Sequence, residues 1–287
     1  MSITGGSMLN SSQLTPKELV AQLDVRLGFG GGDIYGGDQT EQSTKLIHKA
    51  LDSGIQYFDT ARLYGNGSGE GVLGRCLSAD RDRIILTSKV GITPWSMRTR
   101  EKVKRKLAEA AARMVPAAQR LVDVLPPARE LPHTFSVPDM KRSLERSLKE
   151  LRTDYLDILL LHEPTAEEAT RSELLEFLND VQREGKVRAY GFAGLFNDAV
   201  EITTRQPSLC RVTQFPSDVL NQNLESYQPA RPDQVIITHS VIKHALMAIQ
   251  THFAENDDAA AAWKKDTGAA ASDTTAIVKL LLADALA

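Results

Sequence analysis

The sequence predicts an α/β protein built as a (β/α)8 (TIM) barrel, and three observations point there. Short apolar or β-branched runs alternate with amphipathic stretches along the 287 residues, the rhythm of repeated βα units. Some runs are apolar almost throughout, as in LDILLLH at Leu156–His162, which suits strands buried on both faces of a parallel sheet. Residues able to handle protons fall at the ends of three runs, where barrels of this kind place their chemistry. The alternation by itself fits an open doubly wound sheet equally well; the polar strand ends favour the barrel.

Seven candidate strands follow in order: Val25–Phe29, Ile55–Asp59, Arg83–Lys89, Tyr155–His162, Val187–Phe192, Arg211–Phe215 and Gln234–His239. Helices are expected at Gln42–Ser53, Gly69–Leu77, Pro138–Leu151, Ala166–Glu184, Asp198–Arg205 and Lys243–Ala254. Met140, Leu144, Leu148 and Leu151 recur every three or four residues and make one apolar helical face. Pro138 followed by Asp139 suits the start of that helix, where proline costs no hydrogen bond and an acid meets the positive dipole end.

Residues 91–138 break the rhythm after the third strand. They are too many for an ordinary βα loop and should carry their own structure. Arg98–Val115 reads as a basic helix and Ala117–Val124 as a second, stopped by Pro126 and Pro127. A single domain over 1–287 is expected, with 91–138 as a helical insertion. This insertion is an amphipathic cap over the barrel mouth, a substrate lid, or a surface for a partner or an anionic membrane. The final SDTTAIVKLLLADALA reads as the helix that precedes a last strand, yet no eighth strand is found. A missing tail, a neighbouring segment in the gap, or atypical packing of His244–Ala287 would each account for that.

Composition narrows the classes. The 34 basic and 37 acidic residues leave a formal charge of −3, so nothing at the whole-chain level points to nucleic acid or an anionic surface. Cys76 and Cys210 lie far apart and outside any CxxC pattern, as expected in a reducing compartment. The N-terminus is polar and Gly/Ser-rich without a signal pattern, and no apolar run reaches the roughly 18 residues of a membrane span. The expected address is cytoplasmic. Neither HExxH nor GxSxG occurs, so no metal is expected and a serine hydrolase is disfavoured.

Asp59, Lys89 and His162 end three consecutive candidate strands, and Tyr64 follows Asp59 within TARLYGNGSGEGVLG. One polar strand end alone is usually a solvated terminus, and a lone loop tyrosine usually packs at a rim. Three such ends in succession, with Tyr64 beside them, suggest a proton-handling group. A free phenol has a pKa near 10, and a neighbouring Lys89 ammonium would favour phenolate and make Tyr64 the better acid. Asp59 would pair with Lys89, and His162 would orient a substrate oxygen. The glycines at 65, 67, 69 and 71 suggest a mobile turn.

FDTARLYGNGSGEGVLG, ILTSKVG and LLLHEP resemble the motifs of the aldo-keto reductases, in order and at plausible spacing. LGFGGG, ALDSGIQYFDTA, SLKELRTDYLDILLLH and REGKVRAYGFAG add to the likeness, which runs from Leu27 to His239. The resemblance implies a (β/α)8 barrel and hydride transfer from NADPH to a small aldehyde or ketone. It makes Tyr64 the general acid, Lys89 and Asp59 its tuning groups, and His162 the group that positions the carbonyl. The implied cofactor, NADP(H), would lie extended across the barrel mouth. Gly30, Asp59, Ala193, Gln214, His239 and Ser240 stand at its implied binding positions.

Two positions depart from the family pattern. Ala193-Gly194 stands where a Ser-Asn pair usually meets the nicotinamide carboxamide, and neither residue has a side-chain donor or acceptor. His239 stands where an aromatic usually stacks on the nicotinamide. Trp95, just past Lys89, is the candidate wall of the substrate pocket beside His162. Two alternatives remain: a nucleotide-binding or regulatory protein of low turnover, and a non-redox proton-transfer enzyme using the same four residues.

Overall fold

The structure is a computed structural model that describes residues 16–21, 25–94 and 134–286. Seven strands form one sheet, each pair parallel and in chain order: β1 (Gly28–Gly30), β2 (Tyr57–Asp59), β3 (Ile85–Val90), β4 (Leu156–His162), β5 (Val187–Ala193), β6 (Val212–Pro216) and β7 (Val235–His239). All seven predicted strands are present, and their ends differ by a few residues at most. The helices between them are α2 (Thr40–Asp52), α3 (Gly69–Leu77), α4 (Val137–Leu151), α5 (Ala166–Ala169), α6 (Ser172–Arg183), α7 (Phe196–Arg205) and the short α8 (Asn223–Ser226), with α1 (Pro16–Ala21) ahead of β1. This is the (β/α)8 barrel architecture, seen through seven of its strands.

Side chains alternate between the two faces of each strand, and that alternation divides the core. Tyr57, Ile85, Ile158, Leu160, Ala189, Ala193 and Val212 form one buried cluster, the barrel interior. Phe58, Leu86, Leu159, Leu161, Tyr190, Phe192 and Phe215 belong to a second cluster, which packs the sheet against the helices. Every residue of β4 is buried, as its unbroken apolar run requires. The α4 helix starts as its sequence indicates: Ser136 caps it by accepting from the Asp139 N–H, with proline in the first turn.

The helices differ from the sequence reading in their segmentation and number. The expected helix over Ala166–Glu184 is two helices: a capping box of Thr165 and Glu168 starts the first, and the extended backbone of Arg171 separates it from the second. A helix at Asp257–Thr267, here α10, was not anticipated, although Asn256 caps its start and Gly268 ends it in a left-handed conformation. The segment after β7 is helical throughout its regular elements. There, α9 (Lys243–Glu255), α10 and α11 (Thr274–Leu286) gather around Ala245, Ile277 and Leu281.

Among the described residues β1 and β7 therefore each pair with one strand only. The end of α11 comes to the start of β1, where Arg26 Nη2 donates to the Leu286 carbonyl at 2.9 Å. The helices expected at Arg98–Val115 and Ala117–Val124 lie outside the described residues. No helix among the described residues is long and apolar enough to cross a membrane.

Candidate active site

The inward-facing residues at the carboxyl ends of the strands converge. In register, Gly30 lies beside Asp59, His162 beside Ala193, and Ala193 beside Gln214. Lys89 and Asp59 form a buried ion pair, and Lys89 Nζ also donates to the Thr60 carbonyl at 3.1 Å and to the Tyr64 hydroxyl at 3.5 Å. The same ammonium lies 5.0 Å from the centre of the Tyr64 ring. His162 meets Tyr64 edge-on, with ring centroids 6.0 Å apart at 87°. The four residues that the sequence singled out therefore share one site.

Tyr64 reaches that site from a turn that is hydrogen-bonded to the loop after β1. Gly65 adopts φ 59°, and a Cβ there would lie 2.1 Å from the Ile34 carbonyl oxygen; only glycine fits. Ser68 Oγ donates to the Gly65 carbonyl at 2.5 Å and accepts from the Gly36 N–H at 2.8 Å. The turn is thus sewn to the loop after β1.

The electrostatics differ from the simplest expectation. Burial raises the Tyr64 pKa, and this outweighs the lowering by the Lys89 ammonium, while Asp59 and Glu163 add to the rise. Lys89 alone does not make the phenol more acidic than usual; it limits how far burial moves it. For Lys89, burial pulls the pKa down most strongly, but the Asp59 carboxylate and Tyr64 together reverse it to a net rise. Near neutrality the site thus holds a neutral phenol beside a charged ammonium.

Gln214 Nε2 donates to Asp59 Oδ2 at 2.9 Å across the barrel. A carboxylate accepts hydrogen bonds only, so the amide orientation is set and Gln214 Oε1 faces away as an acceptor. A Cβ added at Gly30 would meet nothing within 4 Å, so bare backbone borders open space at the mouth. Ala193 is buried and the Gly194 N–H is taken by the Gln214 carbonyl at 3.0 Å. His239 Nδ1 pairs with Ser240 Oγ at 2.9 Å, and partial burial followed by the Lys89 charge holds its imidazole below the usual pKa. Trp95 lies outside the described residues. Among the described residues, no three His, Cys, Asp or Glu gather as a metal would require.

Sequence reasoning passed over a buried network behind Tyr64. Arg62 pairs with Glu70, and Ser88 Oγ donates to Glu70 Oε1 at 2.7 Å. Its signal was two charged residues placed inside an otherwise glycine-rich and apolar motif.

The family model for "Aldo/keto reductase family" matches residues 26–206. The chain is 28% identical over 200 residues to 6-dehydroglucose reductase of Novosphingobium aromaticivorans, covering 63% of this chain and 54% of that protein. It is 28% identical over 220 residues to aldo-keto reductase YhdN of Bacillus subtilis, covering 74% of this chain and 56% of that one. The chain thus spans about half the length of the curated relatives it matches. An aldo-keto reductase from Klebsiella pneumoniae, solved in complex with NADPH, shares the fold with a TM-score of 0.56 at 21% identity, over 90% of this chain and 76% of that one. The glycerol dehydrogenase of Gluconobacter oxydans shares it with a TM-score of 0.59 at 21% identity, over 77% of this chain and 61% of that one. With its family match extending over well more than half its length and the four motif residues gathered at one barrel mouth, this chain belongs to the aldo/keto reductase family.

Proposed function

We propose that this protein reduces a small aldehyde or ketone to the alcohol with NADPH, using Tyr64 as the proton donor. The observation that carries the reading is the continuous contact Asp59–Lys89–Tyr64, with His162 on the edge of the phenol, at the carboxyl ends of neighbouring strands. The NADP complex of a protein with this fold supports the choice of cofactor, as does the polar chemistry at the mouth. In this reading Gln214 Oε1 accepts from the carboxamide NH2, Gly30 lets the cofactor approach bare backbone, and His239 and Ser240 border the same opening. When bound, NADPH supplies the hydride that becomes attached to the carbonyl carbon.

The protein's own groups handle the oxygen. His162 orients it toward Tyr64, and Tyr64 transfers its proton as negative charge develops there. Lys89 stabilises the phenolate left behind, Asp59 holds Lys89 in reach, and water returns the proton to Tyr64. Proton donation needs the neutral phenol, and burial favours that form. Reduction should therefore stay level through neutral pH and fall only above the ordinary phenol range near 10. A pH profile of kcat with an alkaline limb near neutrality would contradict that assignment.

The direct test is carbonyl-dependent oxidation of NADPH over a panel of aldehydes and ketones, together with a fluorescence titration of NADPH binding. Product formed without nicotinamide would instead mark a proton-transfer enzyme. The binding-protein reading draws on Ala193-Gly194, where side-chain contacts to a carboxamide are absent; tight NADPH binding without turnover on any carbonyl would favour it.

A further inference from the structure

We infer that Glu70 is a positioning residue that sets the distance between Tyr64 and Lys89; the inference rests on the reading of Tyr64 as the proton donor. The two groups reach each other from separate elements. Tyr64 hangs from the turn after β2, and Lys89 projects inward from β3. Their polar contact is long, at 3.5 Å, so a small shift of either element makes or breaks it. Glu70 joins those two elements from the outside of the barrel.

It sits in the first turn of α3, where a carboxylate suits the positive end of the helix dipole. One oxygen pairs with Arg62, two residues before Tyr64. The other accepts from Ser88, one residue before Lys89 and on the opposite face of β3. Arg62, Glu70 and Ser88 are all buried. Low local dielectric strengthens such bonds and makes an unpaired member costly, so the tie is stiff. Tyr64 and Lys89 are thereby each clamped by a neighbour in sequence, and both clamps meet on one carboxylate.

Glu70→Gln would leave the Arg62 cation buried without its counter-charge and could simply unfold the protein. Ser88→Ala removes only the strand end of the tie, and Ser88→Thr restores a hydroxyl. The readout is NMR of isotope-labelled tyrosine, with the Tyr64 signal identified by its loss in Tyr64→Phe, alongside steady-state kinetics. In Ser88→Ala the Tyr64 signal should move at neutral pH, and Ser88→Thr should bring it back. The kcat should fall roughly tenfold to a hundredfold, as expected for displacement of catalytic groups by about an ångström or less, while KM for NADPH stays level.

A Tyr64 signal that stays fixed in folded Ser88→Ala overturns the inference, even if carbonyl reduction is observed in the wild type. A signal that moves and is restored supports the tie even if no carbonyl is reduced, in which case the reductase reading falls alone.

Discussion

Tyr64→Phe is expected to lower kcat for carbonyl reduction by about 10²–10⁴-fold, the contribution of a positioned general acid. The substitution is close to a pure deletion of the acidic group. The ring that Lys89 approaches from one side and His162 meets edge-on is retained, so the packing of the site should survive. Only the hydroxyl and its contact with Lys89 disappear. Because Gln214, His239 and Gly30 are untouched, NADPH binding by fluorescence should change little. Steady-state kinetics with a good aldehyde substrate checks both halves: a Tyr64→Phe enzyme with undiminished kcat would remove Tyr64 from the role of proton donor. Lys89→Met should also depress kcat, for a different reason. It removes the charge that stabilises phenolate and leaves the Asp59 carboxylate buried without its cation.

The second large effect lies at the other end of β4. Asp157→Ala is expected to destabilise the fold by about 3–5 kcal/mol, as when one member of a buried ion pair is deleted. Asp157 is fully buried and accepts from the Leu86 N–H of β3 at 2.9 Å. It also pairs with Arg81 at 2.8 Å and Arg188 at 2.9 Å, and both guanidinium groups lie over the Tyr155 ring. Arg81 extends the staple further through Thr153 Oγ1 and the Tyr155 carbonyl, each at 2.9 Å. Alanine would leave a buried N–H and two cations without their carboxylate. Chemical denaturation should show the loss directly, and Tm should fall by roughly 10 °C. Asp157→Asn, which can still accept from Leu86, should lose less. Asp157 lies at the opposite end of the strand from His162, so kcat of the protein that remains folded should be unchanged. A loss of stability below about 1 kcal/mol would show that the staple is dispensable, since exposed pairs contribute no more than that.

The two predictions concern opposite ends of the barrel, and the sequence revealed them unequally. Asp59, Lys89 and His162 were legible because each is a polar residue closing an apolar run, and Tyr64 because a recurrent motif surrounds it. Asp157 lies within an otherwise apolar strand, where nothing local marks it. Its partners Arg81 and Arg188 are far from it in the chain, and no local pattern links them. The same holds for Glu70, whose partners Arg62 and Ser88 flank it in sequence but face it only once α3 docks on β3. The acidity of Tyr64 was misjudged for a related reason. Sequence shows which charge stands near, whereas the opposing effect of burial depends on what the fold closes over the ring.

By itself the sequence determined the seven strands to within a few residues and their succession along the chain, because hydrophobic periodicity is a local property. It also determined that Ala193-Gly194 brings no side-chain donor to the mouth. Tertiary structure decided everything that depends on distance between elements: the orientation of Gln214 against Asp59, the tie through Glu70, the net rise in the Tyr64 pKa, and the three-helix arrangement after β7. Those follow from packing and from the exclusion of water, which act between residues that the chain order leaves far apart.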